Sequence, residues 1–180
     1  MNKQEIKDRQ QERYNRGARA EEEFLQSFQC KYPNEDVKKS TKQQDMFDHI
    51  DCFAGSNSYD IKSLKKKSAK DDSVDSNIIW IEFKNVRGNL GWLYGKATRI
   101  AFELEDKFIC VERESLRKRA ESLTIKKYTN YPTAYHLYGR RFSPEQERDR
   151  GYRCSDVMTF IYLSDIKDII VEEIPKCQGG

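Results

Sequence analysis

The chain has no long hydrophobic segment, and this absence excludes several classes of protein. No run of about 18 apolar residues, the length that a membrane-spanning helix needs, occurs among the 180 residues. The N-terminus also has no apolar stretch of the kind found in secretion signals. We therefore expect a soluble, cytoplasmic protein that has no part in a membrane.

Metal-binding patterns built on cysteine and histidine are absent too. The five cysteines are scattered, no two of them form a Cys-x-x-Cys pair, and the chain has only two histidines. These residues do not predict a zinc site, and the odd number of thiols favours reduced cysteines over a disulfide framework. The cysteines are Cys30, Cys52, Cys110, Cys154 and Cys177.

A large excess of one charge is the third missing feature. Lysine and arginine total 33 against 30 acidic residues, which leaves a net charge of +3. Such a balance does not by itself predict a polyanionic partner, so the distribution of charge matters more than its sum. With 37% hydrophobic and 35% charged residues, the chain can bury one compact core under a strongly ionic surface.

The N-terminal residues predict a helix. Residues 2–29 contain no proline and are rich in Glu, Lys, Arg and Gln. Apolar residues are sparse in residues 1–15 and then recur at helical spacing, for example at Ala18 and Leu25. The first half is therefore predicted to be a charged helical extension and the second half to dock on the protein. Because Glu21 shares this apolar stripe, we expect it on the buried side of the helix.

A β-hairpin is predicted shortly after this helix. Two β-prone runs, residues 49–54 and 58–64, flank the turn sequence Gly55-Ser56-Asn57. If Ser56 and Asn57 form a two-residue loop, Asp51 lies directly opposite Lys62.

Charged side chains then converge on one face of this hairpin. Asp60 lies two residues before Lys62, so strand alternation places both on the same face as Asp51. The convergence depends on the register of the two strands, because a slip of one residue would move the charged side chains of one strand to the other face of the sheet.

The chemistry of this group favours metal-assisted hydrolysis. A hard cation such as Mg²⁺ takes oxygen ligands and is often held by one or two carboxylates, which Asp51 and Asp60 supply. The ammonium of Lys62 can stabilise developing negative charge or orient an attacking water. Glu21 would add a third carboxylate if its helix packs across the sheet edge. Together these groups are typical of phosphodiester hydrolysis.

Three stretches resemble the PD-(D/E)XK nuclease superfamily. They are RGARAEEEFL at residues 16–25, HIDCFAG at 49–55 and YDIK at 59–62, and the first is similar to the opening helix of archaeal-type Holliday-junction resolvases. The resemblance implies that Glu21, Asp51 and Asp60 bind Mg²⁺ or Mn²⁺ and that Lys62 is the catalytic lysine. Asp60 stands where glutamate is commoner in this pattern.

A second acidic-x-lysine pattern offers an alternative frame. The run at residues 78–83 is the strongest strand signal in the chain and is predicted to be a central strand. Glu82 lies in this run and Lys84 directly follows it. In this alternative, Asp60 takes the role given above to Asp51. Glu82 and Lys84 then take the roles given above to Asp60 and Lys62. Glu82 could also border the first site.

Two polar segments are candidates for nucleic-acid contact. Residues 65–77 are predicted to be a mobile, charged loop, and residues 128–154 a long loop that contains several tyrosines together with several arginines. Such mixtures are typical of strand-binding surfaces, although a solvated loop explains them equally well. The candidate phosphate contacts are Lys65, Lys66, Arg87, Arg140 and Arg141.

The resemblance implies a single α/β domain over residues 1–180. We expect a restriction-endonuclease-like mixed central β-sheet flanked by helices, with the N-terminal helix packed against it. Residues 97–104 are expected to form one of the later, short helices. The predicted activity is divalent-metal-dependent endonucleolytic cleavage of DNA. The alternatives are a non-catalytic nucleic-acid or protein-binding module on the same fold, and a junction-specific resolvase that acts as a homodimer because two symmetric cuts need two sites.

Overall fold

The computed structural model describes residues 3–64, 75–85, 87–139 and 156–177. The sequence predicts a single domain, whereas internal contacts divide the chain into two units, each of which is described by itself. The first unit contains Met1–Asp75, Ala97–Val111 and Val171–Gly180, and the second contains Ser76–Lys96 and Glu112–Ile170.

The N-terminal helix, α1, spans Lys3–Lys31 and confirms the helix predicted for residues 2–29. The predicted charged extension, residues 1–15, falls in its first half. The docked half buries Ala20, Phe24 and Phe28, whose exposed fractions are 0%, 0% and 4%. The ring of Phe24 lies 4.9 Å from that of Tyr59, centroid to centroid, and α1 therefore packs on the strand that carries Tyr59.

Ten strands lie in the described residues. They are β1 (Val37–Lys39), β2 (Cys52–Ala54), β3 (Asn57–Lys62), β4 (Ile78–Lys84), β5 (Arg99–Glu103), β6 (Lys107–Glu112), β7 (Ile125–Thr129), β8 (His136–Tyr138), β9 (Val157–Tyr162) and β10 (Ile170–Pro175). A second helix, α2, spans Arg113–Leu123 and a short 3-10 helix spans Trp92–Tyr94.

The strands form two sheets. The first sheet has the order β1-β2-β3-β5-β6-β10, with β1, β2 and β3 antiparallel in sequence and β3 parallel to β5. The second sheet has the order β4-β9-β8-β7, in which β7 and β8 are parallel and the other pairs are antiparallel. The α/β class with mixed sheets and an N-terminal helix is confirmed, but its strands are divided between two sheets.

Two elements differ from the predictions. The run at residues 78–83 was expected to be a central strand, but β4 lies at one end of the second sheet as the described residues define it. Residues 97–104 were expected to form a short helix and instead contain β5. Four successive residues, 100–103, are buried, and a run buried on both faces has no periodicity that separates strand from helix.

The predicted loops are only partly described. The end of β7 and all of β8 lie within residues 128–154, which were predicted to be one long loop, and residues 140–155 lie outside the described residues. Of the predicted mobile loop at 65–77, residues 65–74 also lie outside them. No helix in the described part of the chain is long and apolar enough to cross a membrane.

The expectation of reduced cysteines is wrong for one pair. Cys30, in the last turn of α1, forms a disulfide with Cys177, which follows β10. Cys52 and Cys110 are free and buried in the core of the first unit, and Cys154 lies outside the described residues. Scattered positions concealed this pair, because residues 147 positions apart in sequence become neighbours only in the fold.

Candidate active site

The β2–β3 hairpin has a register that differs from the prediction. Cys52 pairs with Tyr59 and Ala54 pairs with Asn57, so the turn is formed by Gly55 and Ser56, one residue earlier than expected. Gly55 has a φ of 54°, which glycine adopts without strain. The change moves the register by two residues, and an even shift leaves every side chain on its predicted face.

Asp51 does not lie opposite Lys62, because the register differs by two residues from the predicted one and the β2 ladder ends at Cys52. The backbone N–H of Asp51 donates to the carbonyl of Tyr59 at 2.8 Å, while its carboxylate accepts the N–H of Ile61 at 2.6 Å. Asp51 therefore bonds to β3 through both its backbone and its side chain. This double attachment holds the carboxylate beside the strand that carries Asp60.

The partly buried carboxyl group of Asp51 is an unusually weak acid. Its pKa is raised to about 7, mainly by burial and next by the negative charge of Asp60. The positive charge of Lys62 and the hydrogen bond from Ile61 act in the opposite direction without cancelling this effect. Burial is therefore the main cause of the shift, and the charge of Asp60 raises the pKa of Asp51 more than the charge of Lys62 lowers it.

Asp60 and Lys62 form an ion pair on β3. The Asp60 side chain is 2% exposed and its Oδ1 contacts Nζ of Lys62, whose side chain is 22% exposed. The two residues are two positions apart on one strand and therefore share a face. The predicted acidic-x-lysine pair is present, with its carboxylate inside the protein and its ammonium nearer to solvent.

Glu21 approaches this pair from α1. Burial raises the pKa of Glu21, and the charges of Asp51 and Asp45 raise it further, whereas Lys39 and Lys62 lower it. These interactions show that its carboxylate lies within electrostatic reach of both Asp51 and Lys62. The structure thus places Asp60 and Lys62 in contact beside Asp51, with Glu21 within electrostatic reach of Asp51 and Lys62.

The neighbouring residue Glu22 is directed elsewhere. Its side chain is 54% exposed, and its Oε2 accepts a hydrogen bond from Nζ of Lys39 at 2.7 Å. Glu21 and Glu22 therefore differ in environment although they are adjacent on one helix, which makes them a matched pair for experiments.

A buried glutamate that sequence reasoning missed holds α1 in place. Glu103, at the end of β5, has a side chain that is 2% exposed, and it accepts hydrogen bonds from Arg19 at 2.6 Å and from Lys176 at 2.9 Å. Its other oxygen accepts the N–H of Leu64 at 3.0 Å. Burial opposes ionisation of Glu103, but the hydrogen bonds from Lys176, Arg19 and Leu64 outweigh it and lower the pKa.

These contacts connect Glu103 to two elements of the candidate site. Arg19 lies two residues before Glu21 and Leu64 lies two residues after Lys62, so Glu103 anchors the helix and the strand that carry site residues. Because residues 97–104 were predicted to be helical, Glu103 carried no signal of a buried position. Its partner Lys176 is 73 residues away in sequence, which no local pattern reveals.

The alternative frame lies in a different sheet. Glu82 and Lys84 are on β4, which pairs with β9 in the second sheet, whereas the neighbours of β3 are β2 and β5. The structure therefore does not set the strand of Glu82 beside the strand of Asp60, and a role for Glu82 or Lys84 stays a prediction. Among the candidate phosphate contacts, Arg87 is exposed in the second unit. Lys65, Lys66, Arg140 and Arg141 lie outside the described residues.

The side chains of the site fit a hard cation better than a soft one. Asp51, Asp60 and Glu21 offer only oxygen atoms, and burial raises the pKa of the Cys52 thiol, which disfavours a thiolate ligand nearby. In the described part of the chain, no group of three or more His, Cys, Asp or Glu residues is placed to hold a metal ion. An ion bound here would be held by at most two of these carboxylates and would complete its coordination with water or substrate oxygen.

Comparisons with known proteins return no relative. No protein-family model, no curated protein and no solved structure matches the chain. The resemblance to PD-(D/E)XK nucleases consequently rests on the short stretches of sequence described above and on the residues that they bring together.

Proposed function

We propose that the protein is a Mg²⁺- or Mn²⁺-dependent endonuclease that hydrolyses phosphodiester bonds in DNA. The observation that supports this proposal is the convergence of Asp51, Asp60 and Lys62 at one hairpin, with Glu21 within electrostatic reach of them. An uncompensated negative potential beside a solvent-accessible lysine is the environment that a divalent cation and a phosphate group would complete.

Each residue has a distinct role in this proposal. Asp51 and Asp60 would hold the metal ion, which when bound activates water and offsets charge on the attacked phosphate. Asp51 is held in place by the Ile61 N–H, and Asp60 holds the ammonium of Lys62. Lys62 would stabilise negative charge developing on the phosphate oxygens, and Glu21 would add a further anionic group on the helix side.

Cleavage of defined substrates by the purified full-length protein tests the proposal. With Mg²⁺ or Mn²⁺ present, we expect nicking of supercoiled plasmid and cutting of labelled duplex, single-stranded or four-way-junction DNA. The panel also shows which substrate shape is preferred. Chelation by EDTA should stop the reaction.

Matched variants assign the activity to this site. Asp51→Asn and Glu21→Gln should lower the cleavage rate by about 100-fold. Glu22→Gln, next to Glu21 but paired with Lys39, should retain the rate. Cleavage that survives Asp51→Asn, or that is lost equally in Glu22→Gln, would show that the site is assigned wrongly.

A non-catalytic binding module is the second candidate function. It is favoured by the absence, within the described residues, of a three-ligand group for a metal ion. In that case calorimetry would detect no binding of Mn²⁺, and Asp51→Asn would leave DNA affinity unchanged. The junction-specific resolvase requires a homodimer, so a monomeric mass in solution would contradict it.

A further inference from the structure

The two faces of the second sheet have different compositions. One face is formed by side chains with exposed fractions of at most 7%, so it belongs to the interior. These residues are Ile79, Ile81, Val157, Thr159 and Ile161. The opposite face remains partly open to solvent although it is rich in aromatic residues.

Four rings follow one another on or beside this open face. Trp80 on β4 is the cross-strand partner of Phe160 on β9, and their ring centroids are 5.4 Å apart. Phe160 lies 5.9 Å from Tyr162, which lies 5.8 Å from Tyr135. We call Trp80, Phe160, Tyr162 and Tyr135 the aromatic row.

The aromatic row is exposed to a degree that a core does not need. Tyr162 is 40% exposed, and the other three rings are partly exposed rather than buried. Leaving four adjacent rings partly in water forgoes much of the stabilisation that their burial would provide. A contiguous patch of this kind on an otherwise polar protein is typical of a binding surface.

Unbalanced positive charge accompanies the aromatic row in the same sheet. Lys126 and Lys127 lie on β7, at a register irregularity between Ile125 and Tyr128, and both are exposed. Neither lysine forms an ion pair with any described residue. An exposed tyrosine, Tyr128, follows them with 58% of its surface accessible.

The cations of α2, in the same unit, are arranged differently. Arg117 pairs with Glu114 at 2.6 Å, and Arg119 pairs with Asp168 at 2.6 Å. These cations are neutralised by carboxylates, whereas the lysines of β7 are left for a partner outside the described residues. An anionic partner of the second sheet would therefore be drawn to its β7 end.

We propose that the open face of the second sheet binds single-stranded nucleic acid. Unpaired bases would stack on the aromatic row, and Lys126 and Lys127 would contact phosphates along the β7 edge. Rings displayed across an open sheet accept two or three splayed bases, about the length of this row. The bases of a duplex are stacked inside it and cannot reach such rings.

Two features of the sheet bear on this arrangement. Lysines on a terminal strand also discourage pairing with other sheets, but that purpose does not require a row of aromatic rings on the face. Glu82 lies on the open face opposite Met158, towards the β4 end. The exposed lysines lie at the other end of the sheet, on β7, where the phosphates are expected. The inference concerns the second unit alone and does not depend on the proposed catalysis.

The test is a binding experiment without catalysis. Fluorescence anisotropy of the full-length protein in EDTA would compare labelled oligo-dT and oligo-U of about 15 nucleotides with a duplex of equal length. We expect at least one of the single strands to bind about 10-fold more tightly than the duplex. Binding of either oligomer above the duplex supports the proposal, and the tighter one identifies the preferred sugar.

Ring variants test the stacking contact. Phe160→Leu keeps an apolar side chain but removes the flat ring, and should weaken single-strand binding about 10-fold. Phe160→Tyr keeps the ring and should bind as the wild type does. Circular dichroism and melting curves would confirm that both variants fold.

Charge variants cannot fail through loss of the core, because both lysines are exposed. The double variant Lys126→Glu/Lys127→Glu should weaken binding. It should also reduce the slope of log K against the logarithm of the salt concentration by about 1 to 2. Lys118→Glu, at an exposed position on α2, changes one charge in the same direction and should have a smaller effect.

Tryptophan fluorescence gives a direct readout of stacking. Trp80 is in the aromatic row and Trp92, the other tryptophan, is 6% exposed. Oligo-dT should therefore quench mainly Trp80, and Trp80→Phe should abolish the quenching while retaining binding.

Several outcomes would overturn the inference. Equal affinity for duplex and single strand would do so, as would unchanged binding by Phe160→Leu and by the double lysine variant. A dimer that Phe160→Leu converts to a monomer would show that a second copy covers this face instead. If no cleavage is found but oligo-dT binding requires Phe160, the present inference stands and the proposed nuclease activity fails. Binding that persists in Asp51→Asn separates the two sites further.

Discussion

Asp51 and Glu103, two carboxylates of the first unit, have opposite ionisation behaviour. Glu103 is almost fully buried, yet two cations and a backbone N–H lower its pKa. Asp51 is less buried, but burial and the charge of Asp60 raise its pKa to about 7. The difference lies in the direct partners within the described residues: two cations donate hydrogen bonds to Glu103, whereas the Asp51 carboxylate accepts one from a backbone N–H.

This comparison separates a structural role from a functional one. A buried carboxylate with a full set of donors stabilises the fold and has nothing further to bind. A group of carboxylates with one lysine among them destabilises the ligand-free protein and gains most from an added cation. Five experiments, ordered by the size of the effect that we expect, test this distinction.

The largest expected effect distinguishes Lys62 from Lys176, two lysines that each pair with a buried carboxylate. Lys62→Ala is expected to lower the DNA cleavage rate by about 100-fold or more, because the developing negative charge loses its stabilising ammonium. Lys176→Ala, which removes a partner of Glu103, should keep the rate within about 3-fold, since it lies outside the reacting groups. Single-turnover assays measure both. Similar losses of rate in the two variants would erase the distinction.

Removing the charge of Glu103 should lower stability more than any change at Asp51. Glu103→Gln leaves Arg19 and Lys176 with Glu23, which is less buried, as their shared carboxylate. We expect the free energy of unfolding to fall by about 2 kcal/mol. Urea denaturation at neutral pH measures the loss. If the variant is as stable as the wild type, Glu103 does not anchor α1.

Asp51→Asn should stabilise the metal-free protein while abolishing its activity. Asparagine can still accept the Ile61 N–H but carries no charge, so the repulsion from Asp60 disappears. The expected gain is on the order of 1–2 kcal/mol at pH 8. Equilibrium unfolding in EDTA measures it, and a destabilised Asp51→Asn variant would contradict the interpretation.

The two carboxylates should also give opposite pH profiles of stability. The pKa of Asp51 is raised on folding from 3.8 to about 7, so the folded state binds more protons and stability falls as pH rises through this interval. The pKa of Glu103 is lowered below 4.5, so its contribution is present above 4.5 and is lost as pH falls through the folded value. Melting temperatures measured between pH 3 and 8 test both dependences. Asp51→Asn should lack the fall in stability with rising pH, and Glu103→Gln should lack the loss of stability at low pH.

The smallest expected effect is the stabilisation of the folded protein by a metal ion that binds at Asp51. Mn²⁺ is expected to raise the melting temperature by about 2 °C or more in the wild type and in Glu22→Gln, but not in Asp51→Asn. The rise should be greater at pH 8 than at pH 6, because metal binding requires the ionised carboxylate. An equal rise in all three proteins would indicate binding elsewhere.

The sequence was sufficient to predict the hairpin and to place its charges on one face. Strand alternation has a period of two, so the face shared by Asp51, Asp60 and Lys62 survived an error of two residues in the register. The pairing itself was wrong because Gly55, and not Asn57, lies in the turn, and both residues suit turns. Glu21 was predicted because helical periodicity is a strong local signal.

What the sequence did not predict depends on contacts between distant residues. β5 was taken for a helix because residues 100–103 are buried on both faces, and Glu103 was overlooked as a result. The pairing of Glu103 with Lys176 and the bond between Cys30 and Cys177 join segments that only the fold brings together. The division of strands into two sheets likewise reflects tertiary pairing that local patterns do not encode.

The bond between Cys30 and Cys177 turns most of the chain into a covalent ring. The second unit lies entirely within this ring, because its segments begin after residue 75 and end at residue 170. A single protease cut anywhere between the two cysteines would open the ring without releasing a fragment. Such a nicked protein would migrate as one species on a non-reducing gel and separate into two pieces once the disulfide is reduced.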